Sequence, residues 1–266
     1  MKIGFIGTGN MGGALAWAAA KGGHTLLLAN RTPAKAAALA KELGGTVCPN
    51  AEAAETAELL FLGVKPQGLP SLAGELAPVL QARRGNAPVV VSMATAVTLR
   101  ELDAMLGGGL PLIRIMPNTP AAVGAGTILY AAQNVTDAQL NAFRAVLAQA
   151  GLLLPLPEAQ IDAASAISGC GPAFCFQFAD ALALGGVRAG LSYPDACRLA
   201  AQTMLGAAEM LLQGGEAPDV LKMRVCSPAG TTIEGVLALE QGGFSYTVQN
   251  AVTAAYRRTV EMTRKG

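Results

Sequence analysis

Short apolar runs alternate with alanine-rich stretches through about the first 155 residues, as expected when strands alternate with helices. Several runs are apolar at every position, which is typical of parallel strands that helices cover on both faces. The pattern predicts an α/β fold with an N-terminal Rossmann-like, doubly wound, mostly parallel sheet. The predicted strands span residues 2–7, 25–30, 46–48, 59–64, 89–93, 112–115, 127–131 and 152–156.

The strand pattern ends at Pro155 and Pro157, and from residue 161 onward the pattern is helical. Glycine pairs and prolines separate the helical stretches, which span 172–189, 194–212, 217–224, 229–240 and 245–263. We therefore predict an NAD(P)-binding Rossmann domain over residues 1–157. An all-α substrate and dimerisation domain is predicted over residues 158–266.

The stretch 172–189 carries only Asp180 and Arg188 as charged residues. A helix that is apolar nearly all round is buried, either against a second subunit or within its own chain. The whole chain is 52% apolar and only 14% charged, which favours apolar faces between subunits. We expect a homodimer or a higher homo-oligomer built on dimers.

Charge and cysteine content exclude several classes of function. The formal net charge is +1 with no basic run, so nucleic acid is not an expected partner. Five cysteines form no CxxC pair and His24 is the single histidine, so no metal site is predicted and a reducing cytoplasm fits. The N-terminal apolar stretch imitates a signal peptide, but its glycines would break the required helix, and no membrane association is expected.

The segment Gly7-Thr8-Gly9-Asn10-Met11-Gly12 directly follows a predicted strand and precedes an alanine-rich helix. In that context the first glycine allows a tight turn, the second admits a pyrophosphate, and the third lets helix and strand pack closely. The phosphates would lie on the helix N-terminus. The segment predicts a dinucleotide site, and the alternative is an ordinary turn between strand and helix.

The end of the second strand indicates which dinucleotide is bound. NAD sites place a carboxylate there for the ribose 2′-hydroxyl, whereas NADP sites place a cation and small polar groups. This strand ends Asn30-Arg31-Thr32, and no Asp or Glu occurs before Glu42. We expect Arg31 to bind the 2′-phosphate of NADP(H), with NAD(H) as the alternative cofactor and a solvated arginine as the structural alternative.

Candidate proton donors are few. His24 precedes the second strand, at the wrong end of the sheet, and no lysine lies between Lys65 and Lys222, which argues against a β-hydroxyacid dehydrogenase. Four polar clusters remain as candidates: VKPQ at 64–67, MPNTP at 116–120, SGCGP at 168–172 and SPAGTT at 227–232. The last two are expected to open helices capped by Ser168 and Ser227, where backbone N–H groups can receive a carboxylate.

The segment Cys226-Ser-Pro-Ala-Gly-Thr-Thr-Ile-Glu234 resembles the signature of the pyrroline-5-carboxylate reductase family. The glycine loop, VKPQ, MPNTP and SGCGPAF occur in the order found in that family, and the resemblance covers essentially the whole chain. It implies reduction of a cyclic imino acid, 1-pyrroline-5-carboxylate, to L-proline with hydride from NADPH or NADH. That reaction is the last step of proline biosynthesis.

The resemblance also implies roles for individual residues. Thr232 would be the catalytic residue, hydrogen-bonded to the ring nitrogen, and the backbone N–H groups of Ala229, Gly230 and Thr231 would hold the substrate carboxylate. The alternative for Thr232 is a threonine that only satisfies the helix backbone. The residues implied in cofactor binding are Ile6, Gly7, Thr8, Gly9, Asn10, Met11, Gly12, Arg31, Asn50, Val64, Lys65, Pro66, Met93 and Ala94.

Three positions depart from the family pattern. Ala229 replaces a usual glycine, Cys170 replaces a serine, and Thr95-Ala96 stands where the family usually has Ala-Gly. None of these removes a proposed catalytic group. Two other functions remain open from the sequence: a related imine or β-hydroxyacid reductase, and a non-catalytic NADP-binding regulator.

Overall fold

The computed structural model describes residues 1–263, and its first part is an eight-stranded sheet of order β3-β2-β1-β4-β5-β6-β7-β8. All neighbouring strands are parallel except β6 and β7, which are antiparallel. The predicted α/β, mostly parallel fold is confirmed. The strands are β1 Lys2–Ile6, β2 Thr25–Ala29, β3 Thr46–Val47, β4 Leu59–Leu62, β5 Val89–Ser92, β6 Leu112–Met116, β7 Gly126–Gln133 and β8 Gly151–Pro155.

Six helices connect these strands, and short 3₁₀ turns cover residues 66–68, 84–86 and 119–123. The chain runs from β1 outward to β3, then returns to the other side of β1 with β4, so the strand order reverses between β1 and β4. In open α/β sheets such a reversal opens a crevice at the carboxyl ends of the strands. The helices are α1 Asn10–Lys21, α2 Pro33–Leu43, α3 Asn50–Thr56, α4 Leu69–Ala82, α5 Leu99–Met105 and α6 Asp137–Val146.

The sheet has an apolar cluster of buried side chains on each face. The strands are apolar at successive positions because both faces are covered, which is why they could be recognised in the sequence. On one face the rings of Phe5 and Phe61 stack with centroids 4.6 Å apart. This packing fixes the adjacent ends of β1 and β4, from which the glycine loop and the VKPQ segment emerge.

The remaining helices differ from the predicted ones at two places. A helix over Glu158–Ser168 was not among those predicted, and Ser168 ends it rather than capping the next helix. The predicted helix 229–240 begins later, at Thr231, and its N-cap is Gly230 rather than Ser227. These helices are α7 Glu158–Ser168, α8 Gly171–Arg188, α9 Tyr193–Gly214, α10 Pro218–Arg224, α11 Thr231–Gln241 and α12 Phe244–Thr263.

Helix α7 is attached to the sheet by a buried arginine. Arg114 on β6 is 3% exposed and reaches Glu158 at 3.4 Å and Asp162 at 2.6 Å. The backbone N–H of Leu99 also donates to Glu158, at 2.7 Å.

Contacts along the chain divide it into two compact units. One unit contains residues 1–170 with the described residues from 255 onward, and the second contains residues 171–254. The domain boundary at 157/158 stays a prediction, and residues 264–266 of the predicted domain lie outside the described residues.

The second unit buries few side chains within a single chain. Its buried apolar residues are all alanines, Ala183, Ala196 and Ala200, whereas Phe176 is 70% exposed and Leu212 is 79% exposed. Burial of α8 inside its own chain, one of the two alternatives for this helix, is therefore wrong. Among the described residues one helical stretch, 158–188, would be long and apolar enough to cross a membrane by length and composition alone.

Candidate functional site

The glycine loop after β1 forms a cradle that side chains would fill. Gly7 has φ +101°, and a Cβ there would lie 2.6 Å from the carbonyl group of Gly63. A Cβ on Gly12 would lie 2.0 Å from the carbonyl oxygen of Gly7, whereas one on Gly9 would meet nothing within 4 Å. The loop thus has no free space at Gly7 and Gly12, where the helix and strands pack, and has free space at Gly9.

Helix α1 begins directly behind this opening. Its N-cap is Gly9, which supplies no side chain to satisfy the first-turn N–H groups. These groups have no partner within the helix and carry the positive end of its dipole. Close by, the hydroxyl of Thr8 is buried and lacks a hydrogen-bond partner among the described residues. Free donors around an open glycine fit the pyrophosphate of a dinucleotide.

The end of β2 is held against the glycine loop by Asn30. Its Oδ1 accepts a hydrogen bond from the Thr8 backbone N–H at 3.1 Å, and its Nδ2 donates to the Thr32 carbonyl at 3.0 Å. Arg31 lies between these anchored residues and has no ion-pair partner among the described residues. The Asn30 side chain therefore ties the chain on both sides of Arg31, whose guanidinium is unpaired among the described residues.

A cleft of about 730 Å³ brings the ends of these strands together. It includes seven of the sequence-predicted cofactor residues: Ile6, Gly7, Gly9, Arg31, Asn50, Val64 and Lys65. The lining residues that the cofactor prediction omitted are Asn30, Thr32, Lys35, Gly63, Gln67, Gly68, Ser71, Leu72 and Glu75. Lys35 lies in the first turn of α2, four residues after Arg31, and this closeness in sequence could have identified it as a second cation of the same site.

One of the omitted residues corrects an expectation from the sequence. We expected no carboxylate near Arg31 because no Asp or Glu precedes Glu42. Glu75 on α4 nevertheless lines the same cleft, and its Oε2 accepts a hydrogen bond from Asn50 Nδ2 at 3.1 Å. The carboxylate comes from a helix far along the chain, so inspection of the β2 end could not find it.

The other predicted cofactor residues lie outside the lining of this cleft. Thr8 and Asn10 line a neighbouring groove between α1 and α2. Ala94 is 1% exposed and packs in the apolar cluster on one face of the sheet. Met11, Gly12, Pro66 and Met93 line neither the cleft nor the groove. Gly12 acts through packing, because its missing Cβ lets α1 approach Gly7.

The SPAGTT segment forms a tight turn followed directly by α11. The Gly230 N–H donates to the Ser227 carbonyl at 3.0 Å, and Ala229 has φ +54°. A type II turn requires a positive φ at its third position and often has proline at its second, which explains why glycine suits the Ala229 position. The turn delivers the chain to the N-terminus of α11 with Thr231 and Thr232 as its first residues.

The α11 N-terminus resembles the α1 N-terminus in its free donors. Gly230 is the N-cap and has no side chain that could accept a hydrogen bond from the first-turn N–H groups, and Thr232 is exposed. A Cβ on Gly230 would lie 2.2 Å from the Ser227 hydroxyl oxygen, so the turn leaves no room for a side chain. Its first-turn N–H groups are therefore available for a carboxylate.

Titratable side chains outside these sites show ordinary structural effects. Burial and the nearby chain N-terminus lower the pKa of His24, which lies just before β2. Burial raises the pKa of the Cys48 thiol, which packs in the core. Among residues 1–263 no group of three or more His, Cys, Asp or Glu side chains is placed to hold a metal ion.

Comparison with known proteins identifies the family. The family model described as pyrroline-5-carboxylate reductase dimerisation matches residues 158–262, and one described as NADP oxidoreductase, coenzyme F420-dependent, matches residues 2–96. Pyrroline-5-carboxylate reductase 3 from Macaca fascicularis is 35% identical, over 99% of this chain and 97% of that protein. The chain belongs to the pyrroline-5-carboxylate reductase family. The resemblance seen in its motifs is confirmed.

Solved structures of pyrroline-5-carboxylate reductases agree with this assignment. The enzyme from Coxiella burnetii is 32% identical with a TM-score of 0.90, and the alignment covers 97% of both chains. The Plasmodium falciparum enzyme, solved with NADP bound, is 30% identical with a TM-score of 0.86 and covers 99% of this chain and 98% of that one. Both units of this pyrroline-5-carboxylate reductase family member are thus matched.

Proposed function

We propose that this chain reduces 1-pyrroline-5-carboxylate to L-proline. NADPH, or NADH as the alternative, supplies the hydride when bound. The observation that carries the proposal is the presence in one chain of two helix N-termini free of side-chain caps, one behind an open glycine loop and one behind the SPAGTT turn. Relatives that match along the whole chain and are named for this reaction support it.

In this proposal the SPAGTT turn binds the substrate. The backbone N–H groups of Ala229, Gly230 and Thr231 hold the carboxylate, and the Thr232 hydroxyl hydrogen-bonds the ring nitrogen. A cyclic iminium already carries its proton when it is reduced, so no strong acid is required. The scarcity of His and Lys in the sequence agrees with the absence of a strong acid. The role proposed for Thr232 is to orient the ring and relay a proton.

The cofactor residues proposed are those of the glycine loop, the β2 end and the VKPQ segment. Arg31 binds the 2′-phosphate through its planar guanidinium, and Lys65 and Asn50 line the same cleft. Pro66, Met93 and Ala94 complete the proposed set by family resemblance. The open position of Gly9 and the orphan hydroxyl of Thr8 support the fit of a dinucleotide.

We further propose that the enzyme works in the cytoplasm as a homodimer or a higher oligomer built on dimers. The many exposed large apolar side chains of the second unit support association, because soluble monomers rarely expose large apolar patches. The matched dimerisation model supports a second copy of the chain as the partner. The proposed second domain, residues 158–266, starts where that model starts.

The proposal is tested by incubating the protein with 1-pyrroline-5-carboxylate and either NADPH or NADH. Cofactor oxidation with formation of proline is expected. Turnover of other cyclic imines or of β-hydroxyacids, with none of this substrate, would assign a related reductase instead. Cofactor binding with no consumption on any of these substrates would identify a non-catalytic binding protein.

The role of Thr232 is tested by comparing Thr232→Ala with Thr231→Ala. The first removes the hydroxyl proposed to contact the ring nitrogen, so kcat should fall about 100-fold or more while cofactor affinity is unchanged. The second is a matched control, since Thr231 acts through its backbone N–H, which alanine retains. Thr232→Ser should restore much of the rate. Equal turnover by Thr232→Ala and the wild type would remove Thr232 from the mechanism.

A further inference from the structure

The proposed cofactor cleft contains one carboxylate among several cations. Glu75 lines it together with Arg31, Lys35 and Lys65, and it is the single acidic residue among the lining side chains. It projects from α4, whereas an NAD site normally takes its carboxylate from the end of the second strand. The cleft therefore contains both kinds of charged group that recognise a ribose in dinucleotide sites, a carboxylate and cations.

The contact between Glu75 and Asn50 fixes the orientation of the asparagine amide. A carboxylate only accepts hydrogen bonds, so the atom facing Glu75 Oε2 at 3.1 Å must be the NH₂ nitrogen of Asn50. Asn50 Oδ1 is then left as an acceptor, and Glu75 Oε1 is a second one. Neither oxygen has a hydrogen-bond partner within residues 1–263. One wall of the cleft thus carries two free acceptors.

Free acceptors and free cations suit different forms of the adenosine ribose. Hydroxyl groups donate to a carboxylate or amide oxygen, so an unphosphorylated ribose is recognised by acceptors. A 2′-phosphate is a dianion that cannot donate, and it is attracted by Arg31 and Lys35 but repelled by Glu75. A carboxylate at this position would therefore strengthen binding of NADH and weaken binding of NADPH.

We propose that Glu75 is a specificity-determining residue that orients Asn50 and supplies the carboxylate missing from the β2 end. In this role it lets the cleft accept NADH as well as NADPH and reduces the preference for NADPH. The inference rests on the proposed function only in placing the cofactor in this cleft. It does not depend on the identity of the substrate.

The test measures the dissociation constants of NADPH and NADH by titration calorimetry without substrate, in the wild type and in Glu75→Gln. Loss of a charged acceptor should weaken NADH about tenfold or more, because hydrogen bonds to charged groups are the stronger ones. Loss of the repulsion should tighten NADPH by about two- to fivefold, and added salt should diminish this gain.

Two fragments isolate the ribose. Adenosine 5′-monophosphate carries a free 2′-hydroxyl, and adenosine 2′,5′-bisphosphate differs from it by the 2′-phosphate. Glu75→Gln should weaken the first and tighten the second. Glu55→Gln is the matched control, since Glu55 is an exposed glutamate on α3 that lines neither the cleft nor the groove. It should leave both affinities unchanged.

A purely structural role would change both cofactors in the same direction. Parallel weakening of NADPH and NADH in Glu75→Gln, or no change in their ratio, would therefore overturn the proposal. So would a wild type that binds neither fragment, because the cleft would then not be the adenosine site. Binding of both cofactors as expected, with no reduction of 1-pyrroline-5-carboxylate, would refute the proposed function and leave this inference standing.

Discussion

Replacing Ala96 or Ala229 by glycine should stabilise the protein, although alanine-to-glycine changes usually destabilise. Both alanines adopt left-handed backbone conformations, with φ of +64° and +54°. This conformation costs an L-residue about 1–2 kcal/mol. Both also stand where the family usually has glycine. Each segment therefore has the backbone conformation that glycine favours, and the alanine Cβ is strained in that conformation.

The expected gain is smaller than the strain that glycine removes. Glycine raises the entropy of the unfolded chain, which offsets about 0.4–1 kcal/mol of the benefit. The net stabilisation should be about 0.5–1 kcal/mol at each position. For a chain of this size that corresponds to a rise in Tm of about 1–4 °C. The two positions are far apart in the sequence, and their effects should add.

The control is Ala37→Gly, at an exposed position inside α2. There the backbone is helical, so glycine should lower stability by about 1 kcal/mol. Thermal unfolding of Ala96→Gly, Ala229→Gly and Ala37→Gly would be followed at one fixed protein concentration, so that the proposed association would contribute equally to the stability of each variant. A decrease in Tm for all three variants would show that the two turns do not have left-handed alanines.

Two further predictions concern charges in the first unit. Arg114→Met should lower the free energy of unfolding by about 3 kcal/mol in denaturant titrations, because Glu158 and Asp162 would lose a buried partner. An unchanged midpoint would show that the ion pairs contribute nothing. Hydrogen bonds from Thr98 lower the pKa of Glu101 below its ordinary value of 4.5. The carboxylate therefore stabilises the fold above that value, and the stabilisation is lost as the pH falls through the lowered pKa. Glu101→Gln should lower stability at neutral pH by less than about 0.5 kcal/mol, because glutamine can still cap the helix and solvent screens the exposed charge, and it should flatten the decline in acid; equal acid profiles would contradict this.

The sequence was sufficient to predict the strands because a doubly covered sheet requires continuous apolar runs. Each of the eight predicted runs contains a strand, with ends displaced by a few residues. The reversed direction of β7 was not predictable, because strand direction depends on the connection through residues 117–125 rather than on periodicity. Helix α7 was missed because it follows Pro155 and Pro157, which read as an interruption.

The candidate site was predicted where its residues are close in sequence and missed where they are brought together by folding. The glycine loop and SPAGTT are local motifs whose geometry follows from glycine, proline and helix termini. Glu75 lies 25 residues after Asn50, and their contact depends on how α4 packs beside α3. The start of α11 was misplaced because helix propensity favours Ala229, whereas the preceding turn requires it to have a positive φ.

The second unit is rich in apolar residues, yet few of its side chains are buried within a single chain. Helices α8 and α9 bury only three alanines between them, and α10 and α11 bury no side chain. Isolated helices are marginally stable in water, and small buried alanines contribute little apolar area to hold them together. In the proposed association these helices would pack against apolar surface of another copy of the chain, so that folding of this unit and association would be coupled. Such coupling would explain the high apolar content of the sequence, because a surface that is exposed in one chain would become core in the proposed assembly.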